Sequence, residues 1–226
     1  MPRFGLAIQL EHTGALEALD LARASRDAGF HGVVAADVIQ PWVPPRDPTG
    51  VAPHLWTVLS AAASHITGPI GAVITPNFRH HPAVIAQASS TLATMYPKRH
   101  WLALSAGEAI NDAVTGQAWP RPPERINAMF EAADMIRRLF LNSEAGKDTR
   151  KAGTYASVEG ARLWTLPATF PPLLVAAAGP LTARRAGREV DGFITMGNSL
   201  DNAQRLLERF YQGVEESKRD PAQTLT

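Results

Sequence analysis

Short apolar runs alternate along this chain with longer segments of helical period, and this alternation constrains the fold more than any other feature. The apolar runs are RFGLAIQL (3–10), HGVVAAD (31–37), GPIGAVIT (68–75), RHWLALSAG (99–107), PPLLVAAAG (171–179) and GFITMG (192–197). A helical segment follows each run, and the clearest, within 123–140, has apolar residues at a spacing of three and four. Continuously apolar strands predict a parallel sheet covered by helices.

Six βα units fit two architectures. One is an open, doubly wound sheet, and the other is a barrel of which only six units are present. A complete barrel needs eight units and roughly 250 residues, whereas this chain has 226. The alternation by itself leaves both possibilities open. Between the fourth and fifth units, a polar connection precedes a small predicted hairpin at about 151–165.

Composition removes several classes of function. The 22 basic and 21 acidic residues give a net charge of +1, without the basic surface typical of proteins that bind nucleic acid. The chain has no cysteine, which excludes disulfides and thiolate metal sites. Glu11 and His12 interrupt the N-terminal segment too early for a signal peptide, and no apolar run approaches the ~20 residues of a membrane span. We therefore expect a cytoplasmic protein that binds neither nucleic acid nor membrane.

The ends of the predicted strands carry the candidate site. Ligands collect at the carboxyl ends of parallel strands in both architectures. Here those ends bring Glu11 after the first strand, Asp37 after the second, and segments rich in glycine, acid or amide after the others. The strand starts are ordinary by comparison. This asymmetry favours a binding site at the carboxyl edge.

Residues 105–116 (SAGEAINDAVTG) are the strongest local signal. Gly107 allows close approach of the backbone to a flat ligand, and Glu108 begins a short helix whose N–H groups, with Asn111, could hold an anion. A plainer interpretation makes Gly107 a turn residue and Glu108 a favourable charge at a helix N-terminus. A second segment, AAAGP (176–180), is suited to holding a phosphate on backbone donors.

Other familiar motifs are absent from the sequence. There is no G-x-G-x-x-G fingerprint, no P-loop and no G-x-S-x-G elbow, which disfavours nicotinamide, nucleoside triphosphate and α/β-hydrolase chemistry. Arg79, His80 and His81 stand together, but no carboxylate lies at ligand spacing in their motif. We interpret them as polar loop and helix-start residues, and we expect no metal site.

Three segments, 35–42 (AADVIQPW), 74–116 (beginning ITPNFRHHP) and 173–180 (LLVAAAGP), together resemble the bacterial luciferase-like superfamily. The resemblance is to the branch that uses the deazaflavin coenzyme F420, and it extends from about residue 4 to about residue 215. It implies an α/β fold, the (β/α)8 TIM barrel of the luciferase-like type. Residues 1–226 would then form a single incomplete barrel domain with about six βα units.

The same resemblance implies residues for the cofactor. Asp37 would contact the deazaflavin ring or its hydroxyl, and a cis peptide at Ala72–Val73 would support the ring from behind. The full set of implied cofactor-binding residues is Asp37, Ala72, Val73, Thr75, Gly107, Asn111, Ala176, Ala177, Ala178 and Gly179, the last four around the phosphate. The catalytic residues implied beside the substrate are Glu108, Trp42 and Glu11. Family members also imply a homodimer acting on a small molecule.

Two departures from the family pattern limit the reaction. Many relatives carry a histidine after the aspartate as a proton acceptor, whereas this chain has Val38. Asn198 and Ser199 stand where the sugar-phosphate enzymes place a lysine. These changes favour an F420-dependent reductase of a small or lipophilic substrate over a sugar-phosphate dehydrogenase. An FMN-dependent reductase or monooxygenase, and a degenerate cofactor-binding subunit of a heterodimer, remain the alternatives.

Overall fold

The computed structural model describes residues 4–41, 50–196, 199–220 and 224, so the predictions made for Trp42 and Asn198 lie outside the described residues. Its strands, in chain order, are β1 (Leu6–Ile8), β2 (Val33–Ala36), β3 (Ile70–Ile74), β4 (His100–Leu104), β5 (Thr149–Lys151), β6 (Val158–Ala161), β7 (Leu173–Ala176) and β8 (Gly192–Ile194). Its helices are α1 (Ala15–Asp27), α2 (Leu55–Ala63), α3 (Pro82–Met95), α4 (Ala109–Asp112), α5 (Pro122–Glu144), α6 (Pro180–Glu189) and α7 (Leu200–Glu216).

The main sheet has six parallel strands in the order β1-β2-β3-β4-β7-β8. Each strand therefore lies beside the strand of the preceding βα unit. A doubly wound sheet reverses its strand order at a switch point, and this sheet has no such reversal. The order is that of consecutive units of a (β/α) barrel, as the resemblance implied.

The two faces of this sheet differ in burial. One face packs against the helices: His100, for example, reaches Ser89 of α3 at 2.9 Å. On the opposite face the strands carry partly exposed residues, which are Ala7, Val34, Ala36, Val73, Trp101, Ala176 and Ile194. In a barrel this second face is the interior. The core of the described chain thus lies between the sheet and its helices.

Two local predictions need correction. The hairpin consists of antiparallel β5 and β6, and its first strand begins at Thr149, inside the segment predicted to be a polar connection. Thr149 is buried, Arg150 is exposed and Lys151 pairs with Asp134, so two successive basic residues resemble a polar loop in the sequence. The peptide between Ala72 and Val73 is trans, since the described residues have no cis peptide. Strand β3 pairs in unbroken register with β2 and β4 at this point.

Helix ends follow the sequence. Gly29, with φ of 82°, follows α1, and Pro82 and Pro122 occupy the first turns of α3 and α5, where a missing N–H is harmless. Within the described part of the chain, no helix combines the length and apolarity needed to cross a membrane.

Candidate functional site

Asp37 is the centre of the candidate site. Its N–H donates to the Val73 carbonyl at 2.8 Å, so it continues the β2–β3 ladder by one residue past β2. Its side chain is 1% exposed, and Oδ2 is shared by the Arg79 guanidinium at 2.5 Å and His80 Nε2 at 2.9 Å. The other oxygen, Oδ1, is buried and has no hydrogen-bond partner. A buried acceptor in this state is suited to a donor from a bound molecule.

The loop after β3 brings those two basic residues to Asp37. The Asn77 N–H donates to the His80 carbonyl at 2.8 Å, and Asn77 takes a left-handed φ of 76° that asparagine tolerates well. Asn77 Nδ2 also donates to the Ala128 carbonyl of α5 at 3.0 Å. The loop therefore turns back on itself and presents Arg79 and His80 to the end of β2.

Asp112, at the end of α4, is a second buried acid in the site. Its Oδ2 accepts the Glu108 N–H at 2.9 Å, and Arg79 Nε lies 3.5 Å from its Oδ1. Burial raises the pKa of Asp112, while the Glu108 N–H, Arg79 and Thr75 act in the opposite direction. One arginine thus faces two buried carboxylates.

Gly107 packs over Asp112. With φ of 77°, it adopts a conformation that glycine favours, and an added Cβ would stand 2.5 Å from both Asp112 Oδ2 and Thr75 Cγ2. Next to it, the hydroxyls of Thr75 and Ser105 are 2.8 Å apart. Close packing therefore requires a glycine at position 107, whether or not a ligand is bound.

Glu108 is the exposed acid of the site. It directly precedes α4, and partial burial, the Asp112 charge and the Glu11 charge, in that order, raise its pKa above the ordinary glutamate value. The effect of Glu11 means that the ends of β1 and β4 bring these two acids near each other. A carboxyl with a raised pKa can hold and release a proton closer to neutral pH.

Asn111 connects two loops. It is buried, and its Oδ1 accepts the N–H groups of Ile39 at 2.9 Å and Gln40 at 3.1 Å. Its side-chain oxygen Oδ1 therefore already holds the loop that follows Asp37. The predicted contact of Asn111 with a cofactor would have to use its Nδ2 group.

The predicted phosphate cradle lies at the other end of the row of strands. Ala176 is half-buried at the end of β7, Ala178 is exposed, and the Ala177 N–H is already donated to the Ile194 carbonyl at 2.9 Å. Gly179 caps α6 without a side-chain bond, and a Cβ there would meet nothing within 4 Å. The first-turn N–H groups of α6 are the backbone donors that such a cradle offers.

The structure thus gathers Glu11, Asp37, Thr75, Gly107, Glu108 and Asn111 at the carboxyl ends of β1 to β4. Ala72 is fully buried on the helix side of the sheet, whereas Val73 lies on the partly exposed face. Sequence reasoning assigned no site role to Arg79, His80 or Asp112. Their place in the sequence could have identified them, because all three follow β3 or β4 within the motif that carries the resemblance. Among the described residues no three His, Asp or Glu side chains cluster as metal ligands.

Comparison with known proteins gives a consistent picture. The family model described as "Luciferase-like monooxygenase" matches residues 3–225. An F420-dependent glucose-6-phosphate dehydrogenase of Microbacterium testaceum is 37% identical over 85% of this chain and 56% of its own length. A second one, from Nakamurella multipartita, is 36% identical over 96% of this chain and 63% of its own length. The chain therefore spans less than two thirds of these relatives.

Solved structures agree in fold. An F420-dependent secondary alcohol dehydrogenase in complex with an F420-acetone adduct has a TM-score of 0.88 and 29% identity, covering 98% of this chain and 66% of that one. A coenzyme F420-dependent tetrahydromethanopterin reductase from Methanopyrus kandleri has a TM-score of 0.74 at 17% identity, covering 98% of this chain and 63% of that one. The second likeness shows the fold alone.

Proposed function

Since this chain belongs to the luciferase-like monooxygenase family, we propose that it is an F420-dependent oxidoreductase acting on a small or lipophilic organic substrate. The observation that carries the proposal is Asp37 Oδ1, a buried acceptor without a partner at the end of β2. The deazaflavin ring of F420 carries a hydroxyl group, which is the kind of donor that this oxygen lacks. The ring of FMN has no such hydroxyl, so Asp37 favours F420 between the two cofactors.

The surroundings of Asp37 fit a flat ring and a phosphate. Beside it, the partly exposed face of the sheet presents the small or apolar side chains of Ala36, Val73 and Ala176, which leave room for an aromatic surface. Further along the strand ends, the uncapped first turn of α6 after Gly179 offers backbone N–H groups to an anion. The chain would hold the ring on the sheet and the phosphate at α6.

Proton management is the part of the chemistry that falls to the protein. When bound, coenzyme F420 supplies the hydride exchange. Glu108, with its raised pKa, is our candidate for the group that gives a proton to the substrate, and Glu11 helps to keep it protonated. Val38 is buried and apolar, so it cannot take the proton that a histidine would take at this position. A proton donor at Glu108 and no proton acceptor at Val38 favour reduction of an activated double bond over oxidation of an alcohol.

Charge at the site favours an uncharged substrate. Arg79, the cation closest to Asp37 among the described residues, already faces the carboxylates of Asp37 and Asp112. Glu11, whose charge acts on Glu108, adds negative charge that repels a phosphate group. Exposed Leu181, Met196 and Leu200 follow β7 and β8 and present apolar surface instead. The named relatives act on glucose 6-phosphate, and we propose that this chain does not.

Two alternatives have a specific observation behind them. The N-terminus of α6 would bind the phosphate of FMN as readily as that of F420, so an FMN-dependent enzyme is the first alternative. Val38 would also suit a degenerate subunit that binds cofactor and leaves the chemistry to a partner. Formation of a homodimer stays a prediction.

An assay with defined partners tests the proposal. The protein and reduced F420 are mixed with acetone, with an α,β-unsaturated ketone or with no substrate. In a separate reaction, the protein and oxidised F420 are mixed with glucose 6-phosphate. We expect reoxidation of F420 with a carbonyl substrate and none with the sugar phosphate. Turnover with glucose 6-phosphate would contradict our substrate class. Turnover with reduced FMN alone would favour the first alternative, and cofactor binding without any turnover would favour the second.

A further inference from the structure

We propose that Arg79 is a positioning residue that joins the ends of β2 and β4, so that one guanidinium holds both the cofactor-binding acid Asp37 and, through Asp112, the backbone of Glu108. The inference rests on the proposed function for the roles of Asp37 and Glu108. The contacts that define it do not depend on that function. From the sequence alone, Arg79 is a polar residue of the loop that follows β3.

The first half of the link is to Asp37. Arg79 Nη2 contacts Asp37 Oδ2 at 2.5 Å and donates to the Asp37 carbonyl at 3.0 Å, so side chain and backbone are held by the same group. The two side chains are only 10% and 1% exposed. At this depth a carboxylate keeps its charge and its place only if a cation stays beside it. Arg79 therefore fixes the direction in which Asp37 Oδ1 is presented.

The second half of the link is to Asp112. Arg79 Nε and Asp112 Oδ1 form an ion pair at 3.5 Å without a hydrogen bond, and the opposite oxygen of the same carboxylate accepts the Glu108 N–H at 2.9 Å. Gly107 also lies against this carboxylate, since a Cβ added at Gly107 would be 2.5 Å from Asp112 Oδ2. A displacement of Asp112 would therefore also move the backbone of residues 107 and 108.

The depth of this cluster separates it from ordinary surface pairing. In the described part of the chain, the arginine–carboxylate pairs with both side chains less than a fifth exposed are those of Arg79 with Asp37 and Asp112. Arg138 and Asp134, by contrast, are 56% and 44% exposed. An arginine fork can span carboxylates on two different loops, whereas the single ammonium of lysine cannot reproduce that geometry. We therefore infer that position 79 requires arginine and that lysine cannot replace it.

The test compares Arg79→Lys with Arg138→Lys, which makes the same change in an exposed pair. Hydrogen exchange of the Glu108 amide is followed in the cofactor-free protein, thermal melting checks the fold, and fluorescence titration gives the affinity for F420. We expect Arg79→Lys to melt cooperatively, to exchange the Glu108 amide about tenfold faster or more, and to bind F420 about tenfold more weakly. Arg138→Lys should change none of these.

Several results would overturn the inference. Unchanged exchange at Glu108 in Arg79→Lys would do so, and so would faster exchange spread evenly over the whole chain, which is the sign of a general loss of stability. If Arg79→Lys does not fold, Asp112→Asn carries the test, because it removes the charge that Arg79 holds but keeps an oxygen near Glu108. Faster Glu108 exchange supports the link, and unchanged exchange contradicts it.

The design also separates this inference from the proposed function. If the wild-type chain binds no F420, the proposed function fails, yet exchange at Glu108 still reports whether Arg79 holds Asp112 in place. If F420 binds equally well to wild type and Arg79→Lys while Glu108 exchange rises, the link to Glu108 stands. The link to the cofactor acid is then wrong.

Discussion

Gly107 and Asp112 are packed so closely that no Cβ fits between them: one built on Gly107 would lie 2.5 Å from Asp112 Oδ2. We predict that Gly107→Ala lowers the free energy of unfolding by about 2 to 4 kcal/mol, from backbone strain and overpacking together. Gly116→Ala is the matched control, because Gly116 has the same φ of 77° and nothing within 4 Å. Chemical denaturation should show only about 1 kcal/mol lost there. Equal losses in both variants would mean that the contact with Asp112 is unimportant.

His100 should make stability depend on pH. Burial, partly opposed by the Ile70 carbonyl, lowers the pKa of His100 from 6.5 to about 4. Between these values the unfolded chain binds a proton at His100 that the folded chain does not bind. The contribution of neutral His100 to the free energy of unfolding is therefore fully present above pH 6.5. It is lost as the pH falls towards 4, which lowers that free energy by up to about 3 kcal/mol.

The measurement for His100 is the free energy of unfolding against pH for wild type and His100→Gln. Glutamine can replace the bonds to Ser89 Oγ and the Ile70 carbonyl without titrating. We predict a shallower loss of stability in the variant over the acidic range. Parallel curves would show that His100 is not the group responsible.

Glu108→Gln tests the predicted proton donor. Because glutamine cannot give up a proton, turnover should fall by ~10²-fold or more while affinity for the cofactor changes little. In wild type, reductase activity should be lost as the pH rises through the raised pKa of Glu108, since the protonated form is needed. Glu159→Gln, a change of an exposed glutamate in the hairpin, is the control. A turnover unchanged by Glu108→Gln would remove this residue from the mechanism.

Asn111 should hold the loop that follows Asp37. Asn111→Ala removes the acceptor of the Ile39 and Gln40 N–H groups, so we predict that hydrogen exchange at these two amides rises about tenfold or more. Asn142→Ala serves as control, because Asn142 bonds to Thr149 beside the hairpin. No change at Ile39 and Gln40 would show that the loop is held by other contacts.

Much of this fold could be predicted from the sequence. Six apolar runs separated by helical segments indicated six parallel strands, because burial on both sides of a strand leaves few polar residues in it. The sequence does not reveal that the hairpin starts at Thr149, because Arg150 and Lys151 are typical of a loop and the pairing of Lys151 with Asp134 depends on the fold. Periodicity did not separate a barrel from an open sheet, because that choice depends on strand order.

The candidate site was predicted less completely. Asp37 and Glu108 were identifiable because strand ends and short helices are visible in the pattern. The pairing of Arg79 with Asp37 and Asp112 was not, because it depends on the turn at Asn77 that reverses the loop after β3. Ion pairs between separate loops follow from three-dimensional placement, and neither composition nor spacing reports them.

Parallel binding titrations of the full chain with F420 and with FMN test the central claim most directly. Fluorescence of either cofactor is followed as protein is added, under the same buffer and salt. The buried, unpartnered Asp37 Oδ1 should favour the hydroxyl-bearing ring, so we predict that F420 binds at least about tenfold more tightly than FMN. Tighter binding of FMN, or no binding of either cofactor, would contradict the account.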